Sequence, residues 1–269
     1  MISKYKFLIY LWIIALSSCM SKLDDYKCPD ASLEIDQGEV FIIGPELIAK
    51  NVFRDVIEIS GIKNKGYSVV ITSAAERDSK PILSLLSQLK QLKVHANHVV
   101  AISDSVHITN AESIEISHTD LLILAFTGRH FHRSILEDSA MVSAIKVAHQ
   151  SGSMIIAIGA GADLFGEHTV VSTTNNPDDQ KKQIEFMEGL GFAENILIDK
   201  SSFFENHEAW IQKFANEYKS ACAGIGGKTM LQLCGGEVLV IKPQDMILHE
   251  NGKIVIADKI FKGQKIASY

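Results

Sequence analysis

The stretch Met154-Ile155-Ile156-Ala157-Ile158-Gly159-Ala160-Gly161-Ala162-Asp163 decides the reading of this chain. Its first five residues are apolar without polar alternation, the signature of a strand buried on both faces of a parallel sheet. Small residues follow at once, and a helical segment is expected over Ala162 to Phe165. A buried strand running through a tight small-residue turn into a helix is the setting in which hydrolases display a Ser or Cys nucleophile on a strained backbone. The crest position here is Gly159, which has no side-chain atom to attack a substrate.

Working outward, similar apolar runs recur at Val40-Phe41-Ile42-Ile43, Tyr67 to Ile71, His98 to Ile102 and Leu121 to Phe126. Helix-period segments separate them over 46–60, 80–91, a short stretch after Thr109, and 133–150. The alternation predicts an α/β fold with a mostly parallel sheet and helices on both faces. Further on, short strands are expected at 220–225, 229–234, 237–241 and 254–257. Gly226-Gly227 and Asn251-Gly252 read as hairpin turns, so antiparallel strands should extend one edge of the sheet.

The chain has 269 residues, 46% hydrophobic and 22% charged, which suits one large domain rather than a disordered chain. A formal net charge of −6 leaves no electrostatic footprint for nucleic acid. The first residues differ in kind. Lys4 and Lys6 precede the apolar run Phe7 to Leu16 (FLIYLWIIAL), and Leu16-Ser17-Ser18-Cys19 follows. The run is too short to span a bilayer and ends in small residues, the pattern of an export signal. The tetrapeptide resembles the bacterial lipobox, which implies cleavage before Cys19 and lipid on its thiol. The expected organisation is a signal peptide over 1–18, a polar tether over 19–37 and one domain over 38–269. Met20 is not the aspartate that commonly retains lipoproteins at the inner membrane, so an outer-membrane anchor is favoured. Of the other cysteines, Cys28, Cys222 and Cys234, none has zinc-site spacing, and the two later ones read as core thiols.

Ligands of parallel sheets collect at the carboxyl ends of the strands. Two such ends carry unusual loops: Phe126-Thr127-Gly128-Arg129-His130-Phe131 and the crest at Gly159. With the Gly44 turn after the first strand, Ile71-Thr72-Ser73-Ala74 and Gly189-Leu190-Gly191-Phe192, these motifs fall in the order found in cyanophycinase and dipeptidase E-like serine peptidases. The chain resembles that family over about residues 38–257, which implies a class I glutamine amidotransferase-like fold. It departs from the family where the chemistry lies. Gly-Thr-Ser-Ala-Gly-Ala becomes Ala157 to Ala162, with Gly159 for the nucleophile. The Asp-Gln-His-Phe motif becomes Asp199-Lys200-Ser201-Ser202-Phe203, with Ser201 for the base. An acidic support becomes Gly227.

These departures lead to the expectation of a non-catalytic, membrane-anchored homologue with a binding or scaffolding role. The alternative is an active hydrolase that uses another nucleophile on acidic peptides. No cofactor and no metal are expected; the alternating pair His130 and His132 lacks a third ligand at suitable spacing. Gly128, Arg129, Ala160 and Gly161 are the candidate ligand-binding residues. Arg129 could pair with the carboxylate of an acidic peptide or amino acid, and the two backbone amides could face an anion. The family resemblance also suggests a homodimer.

Overall fold

The computed structural model describes residues 38–47, 51–59, 66–94, 96–103, 107–174, 183–200, 214, 217–218, 220–234, 237–242, 246–250, 253–256 and 265–266. The chain divides into two compact units, Met1–Leu33 and Glu34–Tyr269, and every described residue belongs to the second. The leader, Cys19, the tether and Cys28 lie outside the described residues.

The apolar runs form strands as expected: β1 (Val40–Ile43), β2 (Ser68–Ser73), β3 (Ala96–Ile102), β4 (Leu121–Phe126) and β5 (Met154–Gly159). They pair in parallel in the order β1-β5-β4-β2-β3, and every residue of β1, β2 and β4 is buried. Burial on both faces is why these segments tolerate no polar alternation. The helices between them are α1 (Asn51–Ile59), α2 (Lys80–Gln91), α3 (Asn110–Ser117), α4 (His132–Glu137) and α5 (Ser139–Gln150), with a 3-10 turn at Pro45–Leu47. In α2, Ile82, Leu85 and Leu89 face the core at helical spacing. Thr109 and Glu112 form a reciprocal capping box at the start of α3.

The segment expected as one helix over 133–150 is two. Asp138 breaks it: one carboxylate oxygen accepts from the Ala140 and Met141 amides and starts α5, while the other accepts from Ile108. An acid that caps a new helix competes with continuation of the old one.

The C-terminal strands do more than extend one edge. β10 (Met230–Cys234), β11 (Glu237–Lys242) and β14 (Lys265–Ile266) add antiparallel to the β1 edge, giving an eight-stranded sheet. A second sheet of six strands runs in the order β13-β12-β9-β8-β6-β7. Its members are β6 (Gly166–Thr174), β7 (Gln183–Glu188), β8 (Ala193–Asp199), β9 (Ala221–Ile225), β12 (Met246–Glu250) and β13 (Lys253–Ile256). The hairpin expected at Asn251-Gly252 is supported by the pairing of Glu250 with Lys253. The one expected at Gly226-Gly227 is not a hairpin: β9 pairs with β8 and β12, whereas β10 pairs with β1 and β11. The diglycine carries the chain from one sheet to the other. Cys222 lies wholly buried in β9 as a free thiol, and burial pushes its pKa up, which leaves it protonated and inert.

Candidate functional site

The carboxyl ends of β1, β4 and β5 meet, and β8 and β9 of the second sheet deliver their following residues to the same place. Phe126 at the end of β4 stands in register with Gly159 at the end of β5. Gly159 has φ +62° and ψ −127°, a conformation L side chains rarely adopt. A Cβ placed there would come 2.4 Å from the Phe126 carbonyl oxygen, and one on Gly161 would come 2.5 Å from the Leu124 carbonyl oxygen. Two carbonyls of β4 therefore occupy the space that side chains at 159 and 161 would need. This close approach, together with the positive φ, accounts for glycine at the crest. The chain then enters a 3-10 helix over Ala160–Phe165, whose residues are all buried and which includes the helical segment expected over Ala162 to Phe165.

Arg129 does not face open solvent. Its Nε donates to Asp163 Oδ2 at 2.8 Å and its Nη2 pairs with Asp199 Oδ1. Both carboxylates are 1% exposed, and the Arg129 side chain is 15% exposed. The other oxygen of Asp163 accepts from the Lys200 backbone amide at 2.8 Å. The sequence-based expectation of a ligand carboxylate at Arg129 thus meets a guanidinium already engaged by two buried acids. Asp163 and Asp199 were not singled out as site residues, although each carries a charge at the end of an apolar strand or inside a small-residue turn. Such a charge must find a partner when the segment is buried.

His132 is also wholly buried. Its Nε2 lies 2.8 Å from the Ala160 carbonyl and its Nδ1 2.9 Å from the Val170 carbonyl. Burial pushes this imidazole below its ordinary range, against the opposing pull of Asp163. A neutral ring carries one N–H and so donates to one of these carbonyls. Both ring nitrogens are turned to backbone carbonyls. His130 instead packs its ring against Phe131, at 3.8 Å between centroids. Among the described residues no group of three or more His, Cys, Asp or Glu could hold a metal ion.

A pocket of about 540 Å³ opens over the crest. Pro45, Ile82, Leu85, Phe126, Ile158 and Ile225 give it apolar walls, and Gly159 and Gly227 also line it. Its polar groups come from Glu46, Thr127 and Lys200. Arg129, Ala160 and Gly161 are not among the lining residues, and Gly128 packs against the His130 ring, which a Cβ there would strike. Thr127 gives both its amide and its hydroxyl to the Glu76 carboxylate. Lys200 Nζ donates to the Thr127 carbonyl, and burial pushes this amine below its ordinary range. Lys200 is a functional candidate that sequence reasoning missed, since it stands beside the motif position, Ser201, on which attention fell. Ser201 itself lies outside the described residues.

No protein-family model and no curated protein matches this sequence. Solved structures do. A peptidase from an acI-B1 actinobacterium superposes with a TM-score of 0.55 at 19% identity, over 86% of this chain and 97% of that one. A protein assigned as a peptidase E from Listeria monocytogenes EGD-e superposes with a TM-score of 0.51 at 13% identity, over 76% and 98%. At such identities the likeness is one of fold. The chain has the mostly parallel α/β architecture of peptidase E-like proteins, the class I glutamine amidotransferase-like fold.

The Arg129 cluster yields a stability prediction. Arg129→Ala leaves two buried carboxylates without their cation, and removing one partner of a buried ion pair costs about 3–5 kcal/mol. Chemical denaturation should show a loss of this size. A loss below about 1 kcal/mol would mean that the guanidinium is not the counter-ion of these acids.

Proposed function

We propose that this chain is a non-catalytic, membrane-anchored lipoprotein built on a peptidase E-like fold, with a binding or scaffolding role. The observation that carries the reading is the crest. Gly159 keeps a backbone of the kind on which a nucleophile is displayed, yet it bears no side chain, and the Phe126 carbonyl fills the space a Cβ would take. Nucleophilic catalysis of acyl transfer needs a nucleophile, a base in hydrogen-bond reach and a group that orients the base. By the motif resemblance read in the sequence, Gly159, Ser201 and Gly227 stand at these three positions. Among the described residues, the hydroxyl that lines the pocket, on Thr127, donates a hydrogen bond to the Glu76 carboxylate, and no histidine lines the pocket. His132, the imidazole bonded to the crest, is committed to two backbone carbonyls. These arrangements weigh against the other reading, a hydrolase with a different nucleophile acting on acidic peptides.

Anchoring rests on the leader: Lys4 and Lys6, the run Phe7 to Leu16, and Leu16-Ser17-Ser18-Cys19. Lipid on Cys19 would hold the domain at a membrane surface through a polar tether, and more than one acyl chain is needed for stable attachment. No helix among the described residues is long and apolar enough to cross a membrane. Met20 favours the outer membrane.

The wild-type chain should release no product from aspartyl dipeptides or cyanophycin. Gly159→Ser should not create activity and should lower the melting temperature, because the new Cβ meets a backbone oxygen in a strained conformation. Turnover by the wild type at an ordinary enzymatic rate, or by the serine variant, would overturn the reading. For the anchor, Cys19→Ser expressed in a lipoprotein-processing bacterium should lose metabolic labelling by palmitate and leave the detergent-extracted membrane fraction. Equal labelling of the variant would rule out Cys19 as the lipid site.

A further inference from the structure

We propose that the pocket over the crest receives the carboxylate of a ligand with an apolar body, and that Lys200 supplies its counter-charge. The proposal rests on the binding role set out above and names the ligand class. Three observations carry it.

The first is the lining. Apolar side chains from the turn after β1, from α2 and from the ends of β4, β5 and β9 enclose about 540 Å³, a volume suited to a small organic molecule. The second is that one amine enters this wall. Lys200 Nζ meets the Thr127 carbonyl, and among the described residues no carboxylate lies within ion-pair distance of it. The third is that the neighbouring acids are engaged elsewhere. Asp163 is taken by Arg129 and by the Lys200 backbone amide, and Glu76 holds the Thr127 amide and hydroxyl through its two oxygens. Glu46, which also lines the pocket, has Lys228 3.9 Å away.

Burial lowers the pKa of this amine, and the pull of the Asp163 and Glu76 charges offsets it only in part. A ligand carboxylate would complete its charge in a place where water competes weakly, and charge-assisted hydrogen bonds are the stronger ones there. One cation matches one negative charge, and the walls match an aliphatic or aromatic body. Two sources present this chemistry: a medium-chain fatty acid and the free carboxyl terminus of a short apolar peptide.

Titration calorimetry on the full chain separates them. Octanoate and N-acetyl-Leu-Leu are each compared with the corresponding uncharged amide. Saturable one-to-one binding of either acid, at least tenfold tighter than its amide, is the expected result, and the acid that binds identifies the source. Lys200→Met should weaken that acid at least tenfold and leave the amide unchanged. The inference is overturned if neither acid binds, if acid and amide bind alike, or if Lys200→Met binds the acid as tightly as wild type. The acid–amide comparison needs no variant, so it decides the matter even where Lys200→Met does not fold. Failure of both acids leaves the absence of peptidase activity untouched, whereas cleavage of N-acetyl-Leu-Leu would strike at the non-catalytic reading.

Discussion

A single guanidinium between two buried carboxylates organises this end of the molecule. Arg129 follows β4 of the first sheet, Asp163 sits in the turn after the crest, and Asp199 ends β8 of the second sheet. Neither acid could be buried alone, because an unpaired charge in a low-dielectric interior is costly by several kcal/mol. Their shared cation therefore fixes the loop after β4, the turn after β5 and the end of β8 relative to one another. Asp163 also receives the backbone amide of Lys200, so the same cluster sets where the pocket's amine enters. The Arg129 guanidinium serves internal cohesion, and the basic side chain at the pocket wall is that of Lys200.

The crest shows the complementary constraint. In this chain β4 and β5 approach so closely that two carbonyls of β4 lie where side chains at Gly159 and Gly161 would begin. The backbone bends as a reactive turn would, with the His132 ring against the Ala160 carbonyl just beyond it. The result is a shaped, apolar hollow whose floor is glycine. At the crest itself, Gly159 offers no side-chain atom to attack a ligand.

Much of the first sheet was legible in the sequence. Unbroken runs such as VFII, LLILAF and MIIAI can lie only between two covered faces, and the Thr109–Glu112 box marks its helix start by chemistry alone. The second sheet was harder to see. β6 and β7 read GEHTVVSTT and QIEFME, with polar residues throughout and no continuous apolar signal. Gly226-Gly227 announces a turn, but local turn chemistry says nothing about which sheet accepts the outgoing strand. Glycine at the crest was evident from the motif. The reason for it was not, since the Phe126 carbonyl approaches from a different strand. The ion pairs of Arg129 with Asp163 and Asp199 join residues 34 and 70 positions apart, and no periodicity encodes such contacts.

The claim that the pocket retains the shape of a hydrolase site without its reactive group is tested most directly by an activity-based probe. The folded full chain is incubated with a fluorophosphonate, and its intact mass is measured. The account predicts no covalent adduct at any hydroxyl. A stoichiometric mass increase mapped to a serine or threonine at the pocket, lost on prior unfolding, would contradict it.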